Sequence, residues 1–114
     1  MRSVVFAVLM LLTGGSQAAG ATGNMLYEFC TSDQRTKEAW CLGYIQGSME
    51  AAPEICSPSG STLGQSKDIV VKFLKDYPEL RHDPATISVA AALIDAKWAC
   101  AGWDTKRSRR GPRE

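Results

Sequence analysis

Four cysteines are the side chains with the clearest chemistry in this sequence. Cys30, Cys41, Cys56 and Cys100 are separated by 11, 15 and 44 residues, with no Cys-x-x-Cys pair among them. Thiols of this kind form disulfides, bind a metal or act as nucleophiles. A metal site needs further ligands, and the chain holds a single histidine, His82. The even number of cysteines in a short chain therefore favours two disulfides over a metal site.

The other titratable groups do not form a catalytic pattern. His82 lies in a turn-forming Pro-Glu-Leu-Arg-His-Asp-Pro segment, and a Cys–His pair would need a cysteine that two disulfides do not leave. The carboxylates of Glu28, Glu50 and Asp95 are scattered over helical segments, which is typical of a solvated surface. We therefore expect no enzyme activity, no catalytic residue, no cofactor and no metal.

The first two dozen residues have the layout of a secretory signal peptide. Arg2 supplies a positive start, residues 4–12 form one apolar run, and small residues follow at positions 16–21. An apolar run of about nine residues is too short for the roughly twenty that a transmembrane helix needs. We expect cleavage after Ala18 or, in preference, after Ala21. Residues 1–21 are then the signal peptide, and the rest of the chain is exported to the periplasm.

The exported part is predicted to form one all-α domain, residues 22–103, followed by a basic disordered tail, residues 104–114. Its hydrophobic spacing is helical, without alternating strands or hairpin turns. Residues 22–105 hold eleven acidic and seven basic side chains, whereas residues 106–114 hold five basic side chains and one acidic side chain. An acidic body of this kind argues against nucleic acid as a partner.

Two helices are predicted in the first half of the domain. The first covers Asn24 to Cys30, and the second covers Gln34 to Ala52 after possible N-cap oxygens at residues 31–33. Pro53 ends the second helix. Three-and-four spacing predicts that its inward face comprises Cys41, Tyr44, Ile45, Ser48, Met49 and Ala52.

Two further helices are predicted in the second half. Thr62 followed by Gln65 is a capping-box pattern that begins the third helix, which Pro78 ends. Asp83 as N-cap and Pro84 as first residue begin the fourth helix, which runs to about residue 98 with an end cap at residue 102. The inward faces are predicted to comprise Ile69, Val70, Phe73, Leu74 and Tyr77 in the third helix, and Ile87, Ala90, Ala91, Ile94 and Trp98 in the fourth.

The helix positions restrict the disulfide pairing. A helix that continues to residue 52 separates Cys41 from Cys56 by more than about 15 Å, whereas a disulfide needs alpha carbons within about 7 Å. The preferred pairing is Cys30–Cys41 with Cys56–Cys100, and the pairing Cys30–Cys56 with Cys41–Cys100 remains open. Because closing a longer loop removes more chain entropy, the preferred disulfides stabilise by about 3 and about 4 kcal/mol respectively. Loop length alone therefore predicts the larger loss for substitution of Cys56 or Cys100.

Two glycines on the second helix indicate a close helix contact. Gly43 and Gly47 lie about one turn apart, near Trp40 and Tyr44, and each glycine costs a helix about 1 kcal/mol. We expect another helix to approach this face, either from the same chain or from a second copy. A two-fold contact between copies would give a homodimer.

The order of several motifs resembles one known family. These motifs are Gly-Asn-Met-Leu-Tyr-Glu-Phe-Cys at residues 23–30, Cys-Leu-Gly-Tyr-Ile-Gln-Gly at 41–47, Cys-Ser-Pro at 56–58, Gly-Gln at 64–65 and Phe-Leu-Lys-Asp-Tyr-Pro at 73–78. The segment from Pro84 through Ala-Ala-Ala-Leu at 90–93 to Cys100 completes the likeness. It is similar to the Rap/Tai family of periplasmic immunity proteins over about residues 23–100.

The resemblance implies a function. Members of that family are small, all-helical and often dimeric, and the characterised ones block amidase effectors that type VI secretion systems inject to cut peptidoglycan peptides. We accordingly expect a protein partner, a cell-wall amidase toxin, whose cleft is blocked by residues 53–61 or 78–83. The candidate partner-binding residues are Glu54, Ser57, Ser59, Glu79, Arg81 and His82. The alternative is a periplasmic stress protein resembling acid-activated chaperones, with the body carboxylates as its trigger.

Overall fold

The structure, a computed structural model, describes residues 20–103, and this part of the chain contains four α-helices. They are α1 (Gly23–Cys30), α2 (Arg35–Glu50), α3 (Leu63–Asp76) and α4 (Ala85–Asp95). A 3-10 helix at Pro78–Leu80 joins α3 to α4. The all-α class is confirmed. The expected signal segment, up to residue 19, and the basic tail from residue 104 lie outside the described residues. No described helix is long and apolar enough to span a membrane.

Side-chain caps fix the starts of two helices. The hydroxyl of Thr22 accepts a hydrogen bond from the backbone N–H of Met25 at the start of α1. At α3 the hydroxyl of Thr62 accepts from the N–H of Gln65 at 3.2 Å, and the Gln65 amide oxygen accepts from the N–H of Thr62 at 2.9 Å. The predicted capping box is therefore confirmed. Helix α2 begins after Gln34, whose side chain makes no cap bond.

All four helices contribute to one buried core, and both disulfides form. Cys30 pairs with Cys41 and Cys56 pairs with Cys100, with alpha carbons 5.1 and 4.8 Å apart. The preferred pairing is thus confirmed, and the pairing left open is wrong. The buried apolar residues are Leu26, Cys30, Cys41, Ile45, Val70, Leu74, Ala85, Val89, Ala92 and Leu93.

Helix α4 turns a different face to the core from the predicted one. Its N-cap is Pro84, which offers no side-chain cap bond, so Asp83 is not the cap that the sequence suggested. Ile87 was expected inside but is 55% exposed, because α4 is apolar around most of its circumference and its spacing does not single out one face. The residues that α4 buries are Ala85, Ser88, Val89, Ala92 and Leu93.

The end of α4 also differs from the prediction. The helix stops at Asp95, and Lys97 adopts a positive φ of 69°. The N–H of Trp98 donates to the carbonyl of Leu93 at 2.9 Å, and the N–H of Lys97 donates to the carbonyl of Ile94 at 3.0 Å. This is a Schellman motif. Gly102, the predicted end cap, lies in a later turn.

Lys97→Gly is expected to stabilise the protein by about 1 kcal/mol. A left-handed conformation is unfavourable for a residue with a β-carbon and open to glycine. Urea unfolding measures the change, with Lys97→Ala as the control, because alanine removes the charge but keeps the β-carbon. Equal gains from glycine and alanine would show that the charge of Lys97, and not its backbone, is unfavourable.

Candidate functional site

The six candidate partner-binding residues fall into two groups at opposite ends of α3. Glu54, Ser57 and Ser59 belong to residues 53–61, which we call the disulfide loop. The other three, Glu79, Arg81 and His82, belong to residues 78–83, which we call the Pro78 loop. Because α3 has 14 residues and separates the two loops, their ends lie about 20 Å apart. The candidates therefore form two surfaces rather than one.

The disulfide loop is fixed to the chain that follows α4. Ile55 and Ala99 form an antiparallel bridge. The N–H of Cys56 donates to the carbonyl of Trp98 at 2.8 Å, and the N–H of Cys100 donates to the carbonyl of Glu54 at 2.9 Å. With the Cys56–Cys100 disulfide, these contacts hold the base of the loop in one position.

Beyond Cys56 the disulfide loop is exposed and carries small side chains. The N–H of Ser61 donates to the carbonyl of Pro58 at 3.0 Å, and Gly60 has a φ of 80°, as the third position of a type II turn requires. Ser57 and Ser59 are exposed, and Glu54 is half-buried. An open groove of about 510 Å³ separates this turn from Asp68, Ile69 and Trp98.

The Pro78 loop is fixed to the start of α1 through its backbone. The N–H of Asn24 donates to the carbonyl of Arg81 at 2.7 Å, and the N–H of Gly23 donates to the carbonyl of Asp83 at 2.9 Å. The first N–H groups of a helix have no partner within the helix, so the loop satisfies two donors of α1. Loop and helix consequently hold each other in place.

Arg81 strengthens this contact and is engaged within the protein. Its Nε donates to the carbonyl of Leu74, near the end of α3, at 2.6 Å. Its guanidinium carbon lies 4.0 Å from the ring centre of Tyr27 on α1, within the range of a cation–π contact. Arg81 thus links three elements and positions the loop that carries Glu79 and His82.

The outer surface of the Pro78 loop carries larger side chains than the disulfide loop does. Glu79 is exposed, and the His82 side chain is 77% exposed with its Nε2 3.4 Å from Asp83 Oδ1. Tyr77, which the sequence placed in the core, is 39% exposed and packs against Phe73 with ring centres 4.9 Å apart. Tyr77 therefore adds an exposed aromatic side chain directly before the Pro78 loop. One feature of the sequence indicated this exposure, because Tyr77 directly precedes the proline that ends the helix.

The ion pairs leave negative charge at both loops. Three lysines pair with carboxylates within the described residues, as Lys37–Glu28, Lys67–Glu38 and Lys72–Asp76. The hydrogen bond from Lys72 to Asp76, together with the charge of that carboxylate, raises the pKa of Lys72. Because these pairs are at the surface, each contributes little to stability. Glu54 and Glu79 have no lysine or arginine partner in residues 20–103.

All four cysteines of the chain are in disulfides, so no thiol is left to pair with His82. Over residues 20–103, no group of three or more His, Cys, Asp or Glu side chains lies close enough to hold a metal ion.

Gly43 and Gly47 line an open groove on α2. A β-carbon added at either glycine would meet no atom within 4 Å, so these glycines do not serve a close contact with another helix of the described chain. The expectation of a close contact with another helix of the same chain is therefore wrong, and a contact with a second copy is the alternative that is left. The groove has a volume of about 330 Å³, and its walls are Gly43, Tyr44, Gly47, Ser48, Ala51 and Thr86.

The comparison with known families agrees with the fold. A family model described as Rap1a immunity proteins matches residues 22–100, the segment that contains all four helices and both disulfides. Neither a curated protein nor a solved structure matches the chain significantly. Since the matched segment covers well over half of the sequence, the chain belongs to the family of Rap1a immunity proteins.

Proposed function

We propose that this protein is a periplasmic immunity protein that binds a peptidoglycan amidase toxin of a type VI secretion system and blocks its substrate cleft. Membership of the Rap1a immunity proteins supports a toxin partner and favours this function over that of an acid-activated chaperone. The two disulfides support an oxidising compartment. The signal-like segment at residues 1–21 supports export.

The observation that carries the proposal is the fixed conformation of the Pro78 loop. Two backbone hydrogen bonds to α1 and the contacts of Arg81 with Leu74 and Tyr27 hold it before any partner binds. A loop that is already ordered loses little conformational entropy on binding. It can therefore enter a cleft at a low free-energy cost and keep out a flexible peptidoglycan peptide.

Side-chain size favours the Pro78 loop over the disulfide loop as the inhibitory element. Binding energy concentrates in a few large side chains, tyrosine among them, that become buried in the interface. Tyr77, directly before the loop, is partly exposed, and Glu79 and His82 within the loop are exposed. The disulfide loop presents mainly serine, proline and glycine, which bury less area. We infer that the Pro78 loop contacts the cleft and that the disulfide loop lies outside the contact.

Periplasmic co-expression with the amidase encoded by a neighbouring gene tests the immunity function and the inhibitory role of the Pro78 loop. The wild-type protein should prevent lysis, and Tyr77→Ala with Glu79→Arg should weaken amidase binding about 30-fold or more, a loss typical of interface hot spots. Ser57→Arg and Ser59→Arg, at the other end of α3, are the matched controls and should retain binding. Lysis despite wild-type protein contradicts the immunity function, whereas loss of binding in the serine variants alone transfers the inhibitory role to the disulfide loop.

We further propose that two copies pair through the Gly43–Gly47 groove. The groove is open and mostly apolar, and two helix-weakening glycines line it without any internal contact to explain them. Tyr44, stacked on Trp40 with ring centres 5.0 Å apart, gives it a rigid wall. The α2 helix of a second copy could lie in this groove and bury both glycines. In a two-fold interface the same patch is used by both copies.

Gly47→Leu is expected to convert a micromolar homodimer into a monomer without unfolding it. A β-carbon at Gly47 meets no atom within 4 Å in the described chain, and replacing a helix glycine gains up to about 1 kcal/mol. Sedimentation velocity measures the assembly, and Gln46→Leu, which adds a leucine outside the groove, is the control. A wild-type monomer, or equal weakening by Gln46→Leu, would contradict the interface.

A further inference from the structure

Residues 21 and 22 belong to the folded domain. Thr22 forms an antiparallel bridge with Pro84, and the carbonyl of Ala21 accepts a hydrogen bond from the N–H of Ala85 at 2.8 Å. The Ala21 side chain is partly buried and packs against the core. Ala21 is therefore a structural part of the domain that follows the signal-like segment.

The bond between Ala21 and Ala85 satisfies a donor that has no other acceptor. Ala85 is the first residue of α4 and is completely buried, so its N–H has no partner within its own helix and no access to water. Pro84, the N-cap, provides no side-chain acceptor. A chain that began at Thr22 would lose this hydrogen bond at the start of α4, which lowers the folding equilibrium constant roughly tenfold.

Cleavage after Ala21 would also place a charge in an unfavourable position. Thr22 is the N-cap of α1, and its hydroxyl accepts from the N–H of Met25. An α-ammonium group on Thr22 would lie at the positive end of the α1 dipole, where a cation is disfavoured. Cleavage after Ala18 moves that ammonium three residues upstream.

We infer that the signal peptide is removed after Ala18 and that the mature protein begins at Ala19. This inference rests on the proposed export of the chain. Ser16 and Ala18 supply the small residues that a signal peptidase needs at the third and first positions before the cut. The sequence alone favoured Ala21 by its Ala-Gly-Ala pattern, whereas the fold requires the carbonyl of Ala21.

Intact-mass measurement of the protein purified from the periplasm of a Gram-negative host tests the inference. We expect the mass of residues 19–114 with two disulfides. A mass corresponding to residues 22–114 overturns the cleavage position while leaving export intact. Unprocessed protein in the cytoplasm overturns both the cleavage position and the proposed export.

A comparison of defined chains tests the structural reason separately. Refolded, oxidised chains that begin at Ala19 and at Gly20 both retain Ala21 and should unfold at the same temperature. The chain that begins at Thr22 should unfold at least about 4 °C lower, with faster hydrogen exchange at the Ala85 amide. Equal midpoints and equal exchange for all three chains would overturn the role assigned to Ala21.

Discussion

Loss of the Cys30–Cys41 disulfide is expected to destabilise the protein by about 5 kcal/mol, more than the about 4 kcal/mol expected for loss of Cys56–Cys100. Loop entropy alone predicts the larger loss for the Cys56–Cys100 disulfide, which closes the longer loop. However, Cys30 and Cys41 are 4% and 0% exposed, whereas Cys56 is exposed. Removing each buried sulfur adds about 1 kcal/mol to the entropic loss of about 3 kcal/mol.

Urea unfolding of the paired variants measures these losses. Cys30→Ala with Cys41→Ala is compared with Cys56→Ala with Cys100→Ala, so that no free thiol remains in either protein. A small domain has a stability of about 5–15 kcal/mol, so the first variant loses roughly a third of it or more. Thermal unfolding from 5 °C provides a second comparison of the two variants. A larger loss for the Cys56–Cys100 variant would show that loop length outweighs burial.

Gly23→Ala is expected to destabilise the protein by about 2–3 kcal/mol. A β-carbon at Gly23 would lie 2.9 Å from the carbonyl oxygen of Arg81 and 2.9 Å from the hydroxyl oxygen of Ser88. The first contact is with backbone, so relief requires movement of the Pro78 loop away from α1. The same shift would lengthen the hydrogen bond from Asn24 to Arg81, now 2.7 Å.

Gly64→Ala is the matched control for this substitution. Gly64 is also in the first turn of a helix, but its nearest contact would be an ordinary one, at 3.8 Å from the Thr62 hydroxyl. Gly64→Ala should change the free energy of unfolding of the protein by less than about 1 kcal/mol. If Gly23→Ala is as mild as Gly64→Ala, the loop is not held tightly against α1, and the argument for its fixed conformation fails.

Features that depend on near neighbours in the chain were predictable from the sequence. The capping box of Thr62 and Gln65 and the end of α3 before Pro78 are as predicted, because a helix end is decided within a few residues. The two disulfides followed from helix length and bond reach, although one alternative pairing stayed open until the core was known. The distance between the two loops also follows from the length of α3, which lies between them.

The tertiary structure decided which side of each element faces inward. Ile87 lies outside and Leu93 inside because α1, α2 and α3 cover one side of an evenly apolar helix. Arg81 turns inward to Tyr27, and Tyr77 is partly exposed, although charge and hydrophobicity predict the reverse. The sequence by itself determined the helices, the preferred disulfide pairing and the family pattern, since these depend on local geometry and spacing. Only packing between distant segments determined which loop residues remain available to a partner.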